Sequence, residues 1–265
     1  MAIGIITGSG TYALPGFAGG EPERVATPWG TTEVAQGRLA GVEVAHVSRH
    51  GAGHARLSNH VTHRANVGAL QQLGVDGVLA VTVCGAVDPS VELGSLICFD
   101  DLHFPSNRLP DGALCTFYGE AGDPARGHWI YDDPYSPELR GALLGAAAEA
   151  GLPMRDGGCY GHVDGPRFNT RAEIRGLAAC GVTAVSQTAG PETVLAGEAQ
   201  LPFALVGYAT DYANGVQASA TPVERLLELI AASTDAFARL LAATLPRLGA
   251  AAPAPVGVVY RFHDA

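Results

Sequence analysis

Apolar and polar positions along this chain switch repeatedly between continuous short runs and a helical period. Residues 2–7 are an apolar run that stops at Gly8-Ser9-Gly10, which reads as a buried strand feeding a glycine-rich turn. Residues 42–48 repeat the pattern and run into Arg49-His50-Gly51. Between residues 64 and 73, Val67, Leu70 and Leu73 recur at helical spacing, Gly74 closes the segment, and 78–83 is a buried strand. The unit returns in a helix that starts at Pro137 and is stopped by Gly151, and in a helix over 171–180 that leads through Gly181 into a strand over 182–185. A helix over 191–199 and a strand over 202–209 follow. The most regular helix comes late: Val223, Leu226, Leu227, Ile230, Phe237, Leu240 and Leu241 hold one face, with Thr221-Pro222 and Glu224 marking its start. With no internal repeat, this alternation predicts an α/β fold: a single domain with a central mixed, largely buried β-sheet flanked by helices. The domain is expected to span residues 1–248. A Pro/Ala linker over 250–255 and a terminal VVYRFHDA, either an added strand or a tail, make up 249–265.

Composition narrows the chemistry. Of 265 residues 47% are hydrophobic and 16% charged, enough to bury a core and too apolar for disorder. All 16 cationic side chains are arginines. Without lysine there is no Schiff-base chemistry and no Walker A phosphate loop. A formal charge of −10 argues against a nucleic-acid partner, which needs a basic face. Cys84, Cys98, Cys115, Cys159 and Cys180 stand singly, as expected of reduced thiols in a cytoplasmic protein. The start of the chain has no leader pattern and no apolar stretch would span a bilayer, so no membrane partner is expected.

Five segments carry candidate chemistry. The turn TGSGTY lacks the third glycine of a dinucleotide fingerprint and the outer glycines of GxSxG, but its N–H groups and the Ser9 hydroxyl can cradle an anion. In SRHGAGHARLSNHVTHRAN, four histidines suggest zinc, yet interleaved arginines and unfamiliar spacing favour an oxyanion held by the Arg49 fork and His50. A solvated loop is the plain alternative. In GPRFNTRAE, either Phe168 is a core aromatic and Asn169 or Thr170 caps the following helix, or Phe168 stacks on a flat ligand while Asn169 hydrogen-bonds its edge. Gln187 and Thr188 lie at a strand end, where open α/β sheets bind ligands. Asp211, in TDYANG after the next strand, either caps a turn or acts as a general acid.

In this order and spacing, the GSG turn, RHG, TVCGAV, GPRFNTRAE, QTAGPE…LAGEA and TDY resemble the methylthioadenosine phosphorylase branch of the trimeric purine nucleoside phosphorylases. The resemblance covers nearly all of the chain up to about residue 248. It implies metal-free, cofactor-free phosphorolysis of a nucleoside, such as 5′-methylthioadenosine, to ribose 1-phosphate and a free base. It also implies roles. Ser9, Arg49, His50, Thr82, the Val83 backbone and Thr188 would surround phosphate. Gln187 would lie against the ribose, Phe168 and Asn169 would border the base, and Asp211 would face its N7 edge and assist the leaving group. His128 would close the 5′ pocket of a neighbouring subunit in a homotrimer, with Leu226 lining the same pocket. The chain departs from the family where its 6-amino members have TDxD, with Ala213 then Asn214, and where Gln187 replaces Met. These changes keep open a 6-oxopurine or 5′-modified pyrimidine nucleoside as substrate, with Asn214 at the base, and a non-catalytic nucleoside-binding homologue. Arg49→Ala is expected to weaken phosphate use with little effect on folding.

Overall fold

A computed structural model describes residues 1–249 and 253–261. The first half of the chain supplies β1 (Ala2–Thr7), β2 (Ala18–Gly19), β3 (Glu23–Thr27), β4 (Gly30–Leu39), β5 (Val42–Ser48), α1 (His63–Gln72), β6 (Gly77–Ala86), β7 (Leu96–Cys98), β8 (Asp101–His103) and β9 (Gly127–Ile130). The second half supplies α2 (Pro137–Ala150), β10 (Met154–Asp156), β11 (Cys159–His162), α3 (Arg171–Ala179), β12 (Val182–Ser186), α4 (Ala189–Glu198), β13 (Phe203–Tyr212), α5 (Val223–Thr244) and β14 (Val258–Arg261).

Among the described residues, twelve strands form one mixed sheet with the path β10-β7-β13-β6-β1-β5-β4-β2. Its centre, β13-β6-β1-β5, is parallel. Strand β12 joins β6 antiparallel and carries β11 and β8 beyond it. Alternation divides the core between two faces. Ile6, Val78, Ala80, Leu70 and Phe203 pack on the α1 and α4 side, while Ile3, Ile5, Leu79, Val81, Leu139 and Leu241 pack on the α2 and α5 side. Each fully buried aliphatic side chain contributes about 1.5–3 kcal/mol, so the three layers hold together by area rather than by any one contact.

Local sequence accounts for the helix ends. Ser136 caps α2 by accepting from the Leu139 N–H, Pro137 opens it, and Gly151 closes it with φ 63°. Thr170 and Glu173 form a reciprocal capping box at α3. Several boundaries differ from the sequence expectation. β6 runs three residues further, to Ala86, because parallel pairing with β13 continues there. α4 starts at Ala189, where the Tyr160 hydroxyl accepts from the Thr188 and Ala189 N–H groups and satisfies the helix start. β13 continues to Tyr212, so Asp211 sits inside a strand rather than in the turn beyond it. The apolar face of α5 is also split: Leu229, Phe237, Leu240 and Leu241 are buried, whereas Val223 and Leu227 are exposed. Helical periodicity reports a shared face, not what covers it.

Toward the C-terminus, β14 pairs antiparallel with β9, and the Trp129 indole donates to the Val256 carbonyl. The VVYRFHDA segment therefore holds a strand over Val258–Arg261. Ala250, Ala251 and Ala252 of the expected linker, and residues 262–265, lie outside the described residues. Among the described residues no helix is long and apolar enough to cross a membrane.

Candidate functional site

The sheet brings the five sequence segments to one place. A cleft of about 300 Å³ opens at the carboxyl ends of the central strands, where parallel strands leave backbone groups and loop residues facing outward. Register explains the convergence. Thr7 of β1 pairs with Ser48 of β5, so the turn at Ser9 and the Arg49-His50 pair leave the sheet side by side, and the Arg49 N–H donates to the Thr7 carbonyl. Gly207 of β13 pairs with Thr82 of β6, which puts Thr82–Gly85 along the cleft floor.

One end of the cleft is polar and neutral. It is lined by Ser9, His50, Thr82, Val83, Ser186 and Thr188. The Thr82 hydroxyl lies 3.1 Å from the Ser186 hydroxyl and donates to the Val83 carbonyl. The Arg56 carbonyl can only accept, so His50 Nδ1 carries the proton of that 2.8 Å bond and Nε2 keeps a lone pair. Burial, then the adjacent Arg49 charge, lowers His50 to about 4, so the ring is neutral near pH 7. It becomes a second donor only by taking up a proton, which a bound anion favours. His54 stacks on His50 at 4.2 Å and shares a 2.9 Å bond with the Tyr12 hydroxyl.

Arg49 is not in the wall of this cleft. It is fully buried behind it, with Nε and Nη2 donating to the two Glu192 carboxylate oxygens at 2.7 and 2.8 Å and Nη1 donating to the Val81 carbonyl at 2.8 Å. The expectation that Arg49→Ala spares folding is therefore corrected: the change would leave the equally buried Glu192 without its cation. The guanidinium also packs against Gly8, where an added Cβ would fall 2.3 Å from Nη1. Glycine is required at position 8 by that approach rather than by backbone twist.

The other end holds the base-reading candidates. A register shift between Ala209 and Asp211 places Thr210 as an extra residue in β13 and re-aims Asp211 into the cleft. Among the described residues that line the cleft, Asp211 is the one carboxylate. Burial raises its pKa, against a 2.9 Å bond from the Thr210 hydroxyl that lowers it. The Asn214 amide donates to the Asn169 carbonyl at 2.7 Å, tying the turn after β13 to the loop that carries Phe168, which is 63% exposed. Gln187 accepts from Ser58 and donates to the Arg167 carbonyl, so its polar atoms brace that same loop. Leu226 and Ile230 of α5 close one side with apolar surface.

His128 lies on exposed β9, away from this cleft. The histidine-rich segment does not behave as a solvated loop: His50 and His63 are buried, and only His50 and His54 line the cleft. Among the described residues no group of three His, Cys, Asp or Glu is placed to hold a metal ion. Sequence reasoning missed Ser186, Ser58, Ile230 and Glu192. All four lie in or beside segments it had singled out, Glu192 as the last residue of QTAGPE, but the contact of Glu192 with Arg49 spans 143 residues and has no local signal.

A neutral donor cluster facing a carboxylate and an exposed aromatic suits an enzyme that holds an anion against a flat, uncharged partner. The chain belongs to the phosphorylase superfamily, whose sequence pattern matches residues 2–246. It is 34% identical to 6-oxopurine nucleoside phosphorylase of Pyrococcus furiosus, over 92% of each chain. It is also 34% identical to S-methyl-5′-thioadenosine phosphorylase of Thermofilum pendens, over 94% of this chain and 92% of the relative. A probable S-methyl-5′-thioinosine phosphorylase of Xylella fastidiosa is 37% identical over 81% and 86%. Among solved structures, methylthioadenosine phosphorylase from Schistosoma mansoni in complex with adenine superposes with a TM-score of 0.84 at 27% identity, covering 95% of this chain and 92% of that one. The resemblance read from the five segments holds, and the relatives extend it to both base classes.

Proposed function

We propose that this enzyme cleaves the N-glycosidic bond of a 5′-modified purine nucleoside with inorganic phosphate, giving a ribose 1-phosphate and the free base. The observation that carries the reading is the two-ended cleft: hydroxyls, N–H groups and His50 at one end, Asp211 at the other. Phosphate held by Ser9, His50, Thr82, the Val83 backbone and Thr188, with the Arg49 cation behind them, attacks C1′ on the face away from the base. The C–N electron pair passes to the base, and Asp211, kept protonated more readily by burial, delivers a proton toward N7. Phe168 stacks on the base, Asn169 and Asn214 hold its loop, and Gln187 borders the sugar. Leu226 and Ile230 give the 5′ end an apolar wall, which favours a thioether over a free hydroxyl. Phosphate is a co-substrate here, and no cofactor has a step to perform.

A second base class is favoured by one observation. Buried Ala213 stands where a second carboxylate would accept from a 6-amino group, so a 6-oxopurine with the same 5′ substituent is the competing substrate. Base release across adenosine, inosine and uridine analogues, with and without phosphate and with 5′-hydroxyl or 5′-methylthio groups, separates these readings. If no nucleoside releases base faster with phosphate, the proposal fails. The working form is inferred to be a homotrimer in which His128 reaches the cleft of a neighbour. Exposed Phe168 in the cleft lining, and exposed Val223 and Leu227 on the helix that lines it through Leu226, support that reading. Light scattering that finds one chain mass in solution would remove it. Five free cysteines suit a cytoplasmic location.

A further inference from the structure

Glu192 belongs to none of the ligand-facing groups, yet it meets Arg49 with both carboxylate oxygens while both side chains have no solvent exposure. We propose that Glu192 is a positioning residue for the phosphate subsite, locking the Arg49 guanidinium in the one orientation that keeps the subsite's segments in register. The inference rests on reading the Ser9 end of the cleft as that subsite.

The argument lies in what the guanidinium touches. Nη1 packs on Gly8 and donates to the Val81 carbonyl, while Nε and Nη2 hold Glu192. Two of these contacts, like Arg49 itself, are next to a cleft residue: Gly8 precedes Ser9, Val81 precedes Thr82, and Arg49 precedes His50. Glu192 lies in the first turn of α4, whose N-cap is Thr188. One planar cation therefore ties β1, β5, β6 and α4 together immediately behind the anion-binding atoms. A fork-to-fork pair fixes both distance and plane, which a point charge would not. His63 adds no competing charge. Its Nδ1 lies 3.8 Å from the Glu192 carboxylate, and neither ring nitrogen has a hydrogen-bond partner. Burial, together with nearby His162, Arg49 and His50, keeps the His63 ring neutral. The carboxylate is left to balance Arg49 alone.

The test uses Glu192→Asp, which keeps the charge but is one methylene too short to hold both nitrogens from the same helix. Losing one charge-assisted bond is expected to raise the phosphate KM about 10- to 100-fold. The nucleoside KM should change by less than about twofold, and a cooperative melt should show that the fold is kept. A generally loosened structure would raise both KM values together, and that result overturns the proposal, as does an unchanged phosphate KM. If Glu192→Asp does not fold, Glu192→Gln assayed by equilibrium phosphate binding at low temperature asks the same question, and normal affinity overturns the proposal. Ser9→Ala and Thr188→Val separate the two levels. Should they raise the phosphate KM while Glu192→Asp does not, the positioning role is wrong and the subsite stands. Should none of the three raise it, the subsite reading falls and takes the positioning role with it.

Discussion

At the Ser9 end of the cleft most groups are buried and Arg49 is held from several directions, whereas at the Asn214 end the walls are open. Arg49 and Glu192 have no exposure, Thr188 has 3% and His50 has 5%. Across the cleft Phe168 is 63% exposed, and α5, which lines the cleft through Leu226 and Ile230, leaves Val223 and Leu227 bare. The closed end sits where central strands β1, β5 and β6 leave the sheet, so its geometry follows from the parallel pairing of β1 with both neighbours. The open end is built from the last residues of β13, the loop before α3 and the start of α5. Anion binding needs fixed donors and so belongs in the rigid half. Choice among bases and 5′ groups can vary in the half that few contacts constrain.

Asp211→Asn should break the comparison most strongly, because an amide keeps the shape of the open end but cannot deliver a proton. Turnover is expected to fall about 10²–10⁴-fold while equilibrium phosphate affinity is unchanged. A loss confined to KM would mean that Asp211 only positions the base. Arg49→Ala comes next. Leaving Glu192 buried and unpaired should cost about 3–5 kcal/mol, read as a clear drop in Tm and weaker phosphate binding. A variant that melts like the parent would show that the closed end is less determined than its contacts suggest.

Acid should act with opposite sign on the buried histidines and on Asp211. His46 and His50 are lowered to about 4 and His162 to about 3, in each case chiefly by burial. Each ring is neutral when folded but takes a proton near pH 6.5 when unfolded. Stability is therefore intact above pH 6.5 and lost as pH falls toward about 4, by about 2 kcal/mol per ring at pH 5. Asp211, raised by burial, works the other way, since protonating it in the folded state relieves a cost. Four lowered rings, His63 included, outweigh the raised carboxyls of Asp211 and Glu198, so Tm should drop steeply between pH 7 and pH 5, and His46→Gln should flatten the slope. The smallest structural effect is expected from Phe168→Ala. An exposed ring should alter stability by no more than about 0.5 kcal/mol, yet lost stacking of about 1–3 kcal/mol should raise the nucleoside KM and leave the phosphate KM alone.

Much of this was legible in the residue order because the features are local. The Gly151 stop of α2 and a cap by Asn169 or Thr170 at α3 act within a few residues; the first appears where spacing put it, and the structure settles the second on Thr170. The strand ends at Thr7 and Ser48 were likewise readable from apolar runs followed by small or polar residues, and the end at Ser186 to within one residue. The register shift that aims Asp211 was not, because a bulge depends on what β6 offers opposite it. Nor was the split face of α5, where one periodic stripe meets core at Phe237 and open space at Leu227.

By itself the sequence determined the alternation of strands and helices, the segments that meet at the strand ends and, through its lack of lysine, that any fixed cation would be an arginine. Tertiary structure decided where that cation went. Arg49 could be read as a surface fork waiting for an anion, but a guanidinium folded under a dense sheet must find a carboxylate. Glu192 supplies it from 143 residues away. Propensity and periodicity act over a few residues, whereas pairing a buried charge depends on which distant elements the packing brings together.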